Sequence, residues 1–312
     1  MGLKIGIISL GGKSAKAIAE SCKNYFETVD LLNIKKFEIQ VNGKTCVFYD
    51  KKELKGYDCL YIRGSYKYAL IARTITRTLN QGVYIPVSPN AYTIGHDKFL
   101  TLLELQKNNI AIPRTHYAPG TAIAKKILDN VDFPIIMKLS EGTHGRGVMV
   151  ADSKKSAITI LDLLESFHKP YLIQEFVETE DTSDIRVIVA KEKILAAYKR
   201  VAKEGEVRAN IHSGGARKSH QLTDIQKKLA LDSARAIGAD FCGVDILNSE
   251  RPSVIEINLS PSVWDLKEAC NGDVPNLIAK ELYLQTKKFK KRKKDKLRKL
   301  KKKIVKEEGE KE

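Results

Sequence analysis

The chain has 312 residues and a formal net charge of +16, from 54 Lys and Arg against 38 Asp and Glu. Its hydrophobic content of 43% is typical of a globular protein with room for about two or three compact domains. No apolar run approaches the about 20 residues of a membrane-spanning helix, and the opening MGLKIGIISLGGKS is too short and too rich in glycine for a signal peptide.

The first predicted unit covers residues 1–90 and is a small open α/β domain, because strand patterns alternate there with helical patterns. The predicted strands cover residues 3–10, 29–32, 59–63 and 83–87, and the predicted helices cover residues 14–26 and 68–79.

The segment GIISLGGKS in this unit is similar to a phosphate-binding P-loop. That motif needs a glycine at position 7, but Ile7 stands there and Gly6 misses the position by one residue. Gly11 and Gly12 are instead predicted to form a tight turn between the first strand and the first helix.

The second predicted unit, residues 91–178, contains a candidate phosphate site in MKLSEGTHGRGV. Lys138 stands at the end of an apolar strand, where an unpaired charge is costly. Gly142, Gly145 and Gly147 follow, and their backbone amides could closely approach phosphate oxygens. The alternative is a glycine-rich hairpin turn beside a lysine that reaches solvent along its aliphatic stem.

The strand YLIQEFV closes this unit and offers a backbone edge over residues 174–177. With Glu175 beside it, that edge could hydrogen-bond to the amino group of a purine. A nucleotide site would therefore combine this edge with the preceding lysine and glycines.

The third predicted unit, residues 179–285, carries a series of cations. Arg186 and Arg200 fall on adjacent predicted strands and could share a face, and Arg208 and Asn210 follow in VRANIH. Any one of these arginines alone is typical of a solvated surface. Together they suit a polyphosphate and an anionic intermediate.

The same unit ends in VDILNSERPSVIEINLSP, which predicts two strands joined by a polar turn. Alternation places Glu256 and Asn258 on one face of the second strand, and the hairpin can bring Asp245 close to them. Two carboxylates and an amide are oxygen ligands that suit Mg²⁺ or Mn²⁺. The alternative is a solvated hairpin edge with incidental charges.

The five cysteines and the C-terminal segment bear on location and partners. The cysteines are odd in number, scattered and without a CxxC pair, which predicts a reducing, cytoplasmic location. Residues 287–312 contain 15 Lys or Arg and 5 Asp or Glu, a net charge of +10. A low-complexity basic tail over residues 286–312 is either a solvated, partly helical extension or an arm for RNA, ribosomes or acidic partners.

These motifs, taken in order over residues 84–285, resemble an ATP-grasp ligase, and more narrowly the RimK-type α-L-glutamate ligases. Glutathione synthetase and the carrier-protein ligases of lysine biosynthesis are relatives of that family. The resemblance implies an N-terminal open α/β domain before a two-subdomain ATP-grasp fold, with subdomains at residues 91–178 and 179–285. The basic tail lies outside the resemblance.

The resemblance also implies roles for individual residues. Lys98, Lys138 and the three glycines would contact ATP phosphates, and Lys138 would also contact the adenine. Glu175, Phe176 and Val177 would form the adenine hinge. The remaining assignments are ribose binding by Asp184, nucleotide contacts by Arg208, Ala209 and Asn210, and binding of Mg²⁺ or Mn²⁺, as two ions, by Asp245, Glu256 and Asn258.

The implied reaction is activation of a carboxylate by ATP to an acyl phosphate, followed by attack of an amine to give an amide, ADP and phosphate. Arg186 and Arg200 would be the catalytic cations. The implied amine donor is glutamate or another amino acid, and the acceptor is a protein tail, a carrier protein or a coenzyme. The alternative functions are an ATP-grasp kinase and a non-catalytic RNA- or ribosome-binding protein. Assembly as a homo-oligomer is a separate expectation.

Two positions depart from the family pattern. Ser213 stands where close relatives often carry a basic residue, and Ser262 stands where the expected NxSPG segment has glycine. Both lie near the expected acceptor side, so they bear on the acceptor and the added amino acid rather than on the nucleotide.

Overall fold

The computed structural model describes residues 2–139, 147–166, 170–179, 181–202, 216–270 and 272–309, with side chains to residue 299. The chain divides into two compact units. The first comprises Met1–Arg63, Ile75–Pro86 and Pro275–Glu312, and the second comprises Gly64–Thr74 and Val87–Val274. In the described part of the chain, no helix combines the length and the apolar character needed to cross a membrane.

The N-terminal residues form two small sheets and two helices. In chain order these elements are β1 (Lys4–Ser9), α1 (Lys13–Cys22), β2 (Thr28–Asn33), β3 (Phe37–Asn42), β4 (Lys44–Tyr49), β5 (Lys52–Glu53), β6 (Cys59–Ile62) and α2 (Ala69–Leu79). Strands β2, β1 and β6 form a parallel sheet in that order, and β3, β4 and β5 form an antiparallel one. Ile5, Ile7 and Ile8 of β1 are fully buried, as its apolar sequence predicts.

The tight turn predicted after β1 is confirmed. Gly11 has φ +79°, in the left-handed region that favours glycine, and Gly12 precedes the first residue of α1.

The remaining elements follow from residue 89. They are α3 (Pro89–Ile94), α4 (Lys98–Lys107), β7 (Thr115–Ala118), α5 (Thr121–Leu128), β8 (Ile135–Leu139), β9 (Val148–Ala151), α6 (Lys154–Glu165), β10 (Tyr171–Glu175), β11 (Ser183–Ala190), β12 (Lys193–Val201), β13 (Ala216–Ser219), α7 (Asp224–Ile237), β14 (Phe241–Leu247), β15 (Val254–Asn258), α8 (Lys267–Cys270) and α9 (Val274–Gly309).

Two antiparallel sheets organise the second unit. One has the strand order β7-β10-β8-β9, and its core packs Met137 and Ile173 against Leu128 of α5 and Leu161 of α6. The other has the order β13-β12-β11-β14-β15, and α7 packs against four of its strands. The predicted combination of α/β and α+β structure is confirmed.

Helix α9 differs from the sequence prediction, which ended the closing helices near residue 285. The helix runs for 36 residues and passes position 286 without a break. Thr286 is fully buried, Lys290 forms an ion pair with Asp58 at 2.5 Å, and the ring of Phe289 lies 6.0 Å from that of Tyr84. The beginning of the basic segment is therefore packed within the first unit, to which Pro275–Glu312 belongs.

Candidate functional site

Strand register gathers the predicted charged residues on one face of the five-stranded sheet. Asp245 of β14 lies directly opposite Arg186 of β11 on one side and Glu256 of β15 on the other. Asp184 of β11 lies opposite Arg200 of β12. Residues opposite one another, and residues two apart on one strand, share a face. The structure therefore brings these five residues together.

Two arginines and two aspartates on this face form a hydrogen-bonded network. Arg186 donates to Asp245 in bidentate fashion, from Nε to Oδ1 at 2.6 Å and from Nη2 to Oδ2 at 2.5 Å. Arg200 donates from Nε and Nη2 to the two oxygens of Asp184, at 2.5 and 2.6 Å. Its Nη2 also reaches Oδ2 of Asp245 at 2.8 Å. One aspartate is thus shared by both arginines.

Burial sets the electrostatics of this network. Asp245 is 1% exposed and Arg200 is 6% exposed. Burial acts to raise the pKa of Asp245, but the charges of Arg186 and Arg200 outweigh it and hold that pKa below its usual range. Asp245 is therefore ionised, and its charge depends on the two arginines.

Asp184, to which the resemblance assigns ribose binding, is the ion-pair partner of Arg200. Both of its carboxylate oxygens accept from Arg200, and the side chain is buried. Asp184 therefore fixes Arg200, and its contact with the ribose stays a prediction.

The proposed metal ligands form a set of two carboxylates and one amide. Asn258 donates from Nδ2 to Oδ2 of Asp245 at 3.2 Å, which leaves its amide oxygen for another partner. Among the described residues, no group of three or more His, Cys, Asp or Glu side chains could hold a metal ion. The oxygen donors of Asp245, Glu256 and Asn258 still suit a hard cation. Asp245 already accepts four N–H donors, about as many as a carboxylate accommodates, so at least one must move for Asp245 to bind a cation.

Gly243, which the sequence analysis did not single out, permits this arrangement. It lies opposite Asn258 in the β14–β15 register. A Cβ at Gly243 would lie 3.0 Å from Cβ of Pro261 and 3.7 Å from Cβ of Asn258. A side chain there would therefore push away the segment that follows β15.

Lys138 lies on β8 of the other sheet and is buried. Its Nζ donates to Oε1 of Gln174 at 2.8 Å, and Nε2 of Gln174 donates to Oγ1 of Thr115 at 2.6 Å. Burial lowers the pKa of Lys138 to about 8, with Lys98 acting in the same direction and Glu256 opposing it. The structure thus brings both predicted phosphate lysines within electrostatic reach of each other, and Lys138 within reach of Glu256.

The predicted adenine hinge follows the end of β10. The Glu175 carboxylate accepts from the backbone N–H of Arg114 at 2.8 Å, and its own N–H donates to the carbonyl of Arg114 at 3.0 Å. Phe176 and Val177 follow directly, half-buried and outside the strand. Glu175 therefore anchors the strand end, and the hinge role of these residues stays a prediction.

Several predicted nucleotide residues lie outside the described part of the chain. These are Gly142, Gly145, Arg208, Ala209 and Asn210. Gly147 is described and has φ +78°, so the turn into β9 uses the backbone freedom of glycine.

The structure also shows an ion pair that the sequence analysis missed. Arg217 of β13 lies opposite Arg200 in the strand register. Its Nη1 donates to Oδ2 of Asp265 at 2.7 Å and to the Asp265 carbonyl at 3.2 Å. Because 48 residues separate the pair, no local pattern pointed to it.

One antiparallel sheet carries Lys138 and the other carries Asp245, Glu256 and Asn258, which is the arrangement that the ATP-grasp resemblance predicts. The family model described as the RimK-like ATP-grasp domain matches residues 95–282. The chain belongs to this family, and it is an ADP-forming ligase that uses ATP to make amide bonds. Members of this family use ATP and Mg²⁺.

Two curated relatives named "Probable alpha-L-glutamate ligase" illustrate the similarity. The protein of Maridesulfovibrio salexigens is 31% identical over 278 residues, covering 87% of this chain and 92% of its own. That of Cellvibrio japonicus is 29% identical over 282 residues, covering 88% and 94%.

Solved structures agree on the fold. The ATP-grasp ligase PsnB in complex with a minimal precursor superposes with a TM-score of 0.71 at 17% identity, covering 91% of this chain and all of the other. The D-alanine–D-alanine ligase of Bacillus anthracis in complex with ATP gives 0.67 at 16% identity, with 95% and 99% coverage. The predicted ATP-grasp fold is thereby confirmed.

Proposed function

We propose that this ligase activates a carboxylate as an acyl phosphate and joins it to the amino group of L-glutamate or another amino acid. The observation that carries the proposal is the single sheet face on which Arg186 and Arg200 surround Asp245 beside Glu256. The names of the relatives support glutamate as the amine donor. The acceptor would be a protein tail, a carrier protein or a coenzyme.

The chain's own residues would bind and orient the reactants. Lys98 and Lys138 would hold ATP phosphates, and Arg186 and Arg200 would stabilise the acyl phosphate and the oxyanion that forms from it. Mg²⁺ or Mn²⁺, as two ions, would offset the charge of the phosphoryl group during transfer. Asp245, Glu256 and Asn258 would supply the oxygen ligands.

Three further groups of residues would hold the nucleotide. The glycine loop with Gly142, Gly145 and Gly147 would cover the phosphates, and the adenine would lie against residues 175–177. Arg208, Ala209 and Asn210 would line the nucleotide, as the resemblance implies.

The direct test is an ADP-release screen of amino acids against candidate carboxylates, with the amine measured in parallel. The proposal expects ADP, phosphate and an amide in equal amounts. Release of ADP with phosphate transferred to a small molecule and no amine consumed would instead indicate a kinase.

Lys138→Ala should weaken ATP binding about tenfold or more, because one charge-assisted contact at a buried phosphate site is worth about 1.5–3 kcal/mol. Since burial lowers the pKa of Lys138 to about 8, the wild-type affinity should fall as pH rises from about 7 to about 9 and the lysine loses its charge. Calorimetry checks both effects. The exposed Lys155→Ala variant is the control, and an equal loss in both variants would remove Lys138 from the phosphate site.

We also propose that the basic part of α9 binds RNA. Ten Lys or Arg and one Asp lie between residues 287 and 299, and every cation there is exposed on one continuous helix. Such a density of charge favours a polyanion.

Replacing Lys291, Arg292, Lys296 and Arg298 with Gln should weaken RNA binding and reduce its salt dependence by up to about 0.7 in log–log slope per lost phosphate contact. Gln preserves the helix, and Lys290, which pairs with Asp58, is left in place. Co-sedimentation with RNA at two salt concentrations measures the effect. In the charge-conserving control, these lysines become Arg and these arginines Lys. Equal, salt-insensitive behaviour of all forms would make the segment a solubilising extension.

A cytoplasmic location is also part of the proposal. All five cysteines are free thiols, and burial raises the pKa of the Cys22 thiol to about 12. A reducing compartment is where such thiols persist. Assembly as a homo-oligomer stays a prediction.

A further inference from the structure

Two buried polar atoms beside the sheet face that carries Arg186, Arg200 and Asp245 have no hydrogen-bond partner among the described residues. They are Nε of Arg217 and Oδ1 of Asp265. Buried polar groups of folded proteins are nearly always paired, since an unpaired one loses its hydration without compensation. An unpaired donor and an unpaired acceptor on two residues already in contact therefore call for an explanation.

The position of the pair connects it with the proposed reaction centre. Arg217 lies directly opposite Arg200 across β12 and β13, so the two arginines share a face of the sheet. Asp265 follows β15, which carries Glu256 and Asn258, by seven residues. The pair thus lies at the β13 edge of the face on which Arg186 and Arg200 meet Asp245.

The two neighbouring arginines differ in how their donors are used. Arg200 gives three hydrogen bonds to Asp184 and Asp245, and its side chain is only 7% exposed. In the described part of the chain, Arg217 donates from Nη1 to Asp265 and its Nε has no partner, and the side chains of Arg217 and Asp265 are 21% and 26% exposed. Arg217 and Asp265 therefore border solvent, and each retains hydrogen-bonding capacity for a ligand.

The chemistry of the pair selects its ligand. A guanidinium binds carboxylates in bidentate fashion, and a carboxylate accepts hydrogen bonds from an amino group. A phosphate would meet repulsion from Asp265, and a simple amine would meet repulsion from Arg217. An α-amino acid carries a carboxylate and an amino group on one carbon, so it can bind to Arg217 and Asp265 at the same time.

We propose that Arg217 and Asp265 are the binding site for the amino-acid substrate, with Arg217 on its carboxylate and Asp265 on its amino group. The inference rests on the proposed function, which requires an amino acid beside the acyl phosphate. Binding at this edge puts the amino group next to Arg200, where the activated carboxylate would be stabilised. The pair would then decide which amines react.

Binding of the amino acid can be followed by the intrinsic fluorescence of the chain. Its single tryptophan, Trp264, precedes Asp265 and is 46% exposed. Titration of the full chain with L-glutamate should give a saturable change in tryptophan fluorescence. Glutarate, which lacks the amino group, and ethylamine, which lacks the carboxylate, should each bind at least about tenfold more weakly.

Arg217→Gln and Asp265→Asn should each raise the KM for the amino acid at least about tenfold, while the KM for ATP and ATP affinity stay as in the wild type. Unchanged ATP binding shows that each variant is folded. Arg251→Gln, at an exposed arginine in the β14–β15 hairpin, is the matched control and should leave every value unchanged.

The outcomes separate the two proposals. If the wild type releases ADP with an amino acid but both variants keep its KM, the binding pair is wrong and the ligase proposal stands. If no amino acid supports ADP release by the wild type, the proposed function itself fails. A KM for ATP that rises together with that for the amino acid would show a structural role only and overturn the inference.

Discussion

Glu256→Gln should abolish Mg²⁺-dependent ADP formation and leave the fold intact. The substitution keeps the size of the side chain and removes the charge that, beside Asp245, would bind the cation. Without the cation, the charge of the transferring phosphoryl group is not offset. Removal of one such electrostatic contact typically lowers kcat by 10²–10³-fold, which is about 2.7–4 kcal/mol. ADP release at saturating ATP measures the effect.

The control for this variant is Glu268→Gln, an exposed glutamate on α8. Circular dichroism and thermal unfolding should be the same for both variants and the wild type. The charge of Glu256 acts to raise the pKa of Lys138, so ATP binding measured without the metal separates loss of the cation from loss of the nucleotide. Wild-type turnover in Glu256→Gln would show that Glu256 is not a ligand of the metal ion.

The β11–β12 and β14–β15 hairpins could be predicted from the sequence because their signals are local. Alternation of apolar and polar residues fixes which side chains share a face, and short turns fix which strands pair. The pairing of Asp245 with Glu256 followed from these rules alone. The same rules placed Arg186 and Arg200 on neighbouring strands.

Partner choice could not be predicted, because it depends on residues far apart in the chain. Gln174 receives the hydrogen bond of Lys138 from 36 residues away. In the sequence, Gln174 stands out only as part of a backbone edge. Likewise, sheet register alone puts Arg217 opposite Arg200 and leaves the partner of Arg217 open.

The sequence does carry a helical signal through the whole of α9. No glycine or proline interrupts residues 276–308, and lysine, arginine and leucine are good helix formers. The dense charge suggested a low-complexity extension instead. Ion pairing of Lys290 with Asp58 and packing of Phe289 near Tyr84 then stabilise the helix at the point where charge alone would favour fraying.

Arg200→Met should destabilise the protein by about 3–5 kcal/mol, because it leaves the buried carboxylate of Asp184 without its partner. The matched control is Arg235→Met on α7. Arg235 also pairs with two carboxylates, those of Asp232 and Glu192, but its side chain is 58% exposed. That substitution should cost no more than about 1 kcal/mol. Urea unfolding of both variants measures the difference.

Two further measurements identify the cause of the loss. Burial raises the pKa of Asp184 even beside Arg200, whose charge opposes the shift. Without that charge, in Arg200→Met, the pKa rises further, so the folded variant binds a proton more readily than the folded wild type and the deficit shrinks as pH falls. The double variant Asp184→Asn with Arg200→Met should recover part of the stability, because no uncompensated charge remains. If the deficit is independent of pH and the double variant is no more stable, lost packing around the Arg200 side chain, rather than charge, explains it.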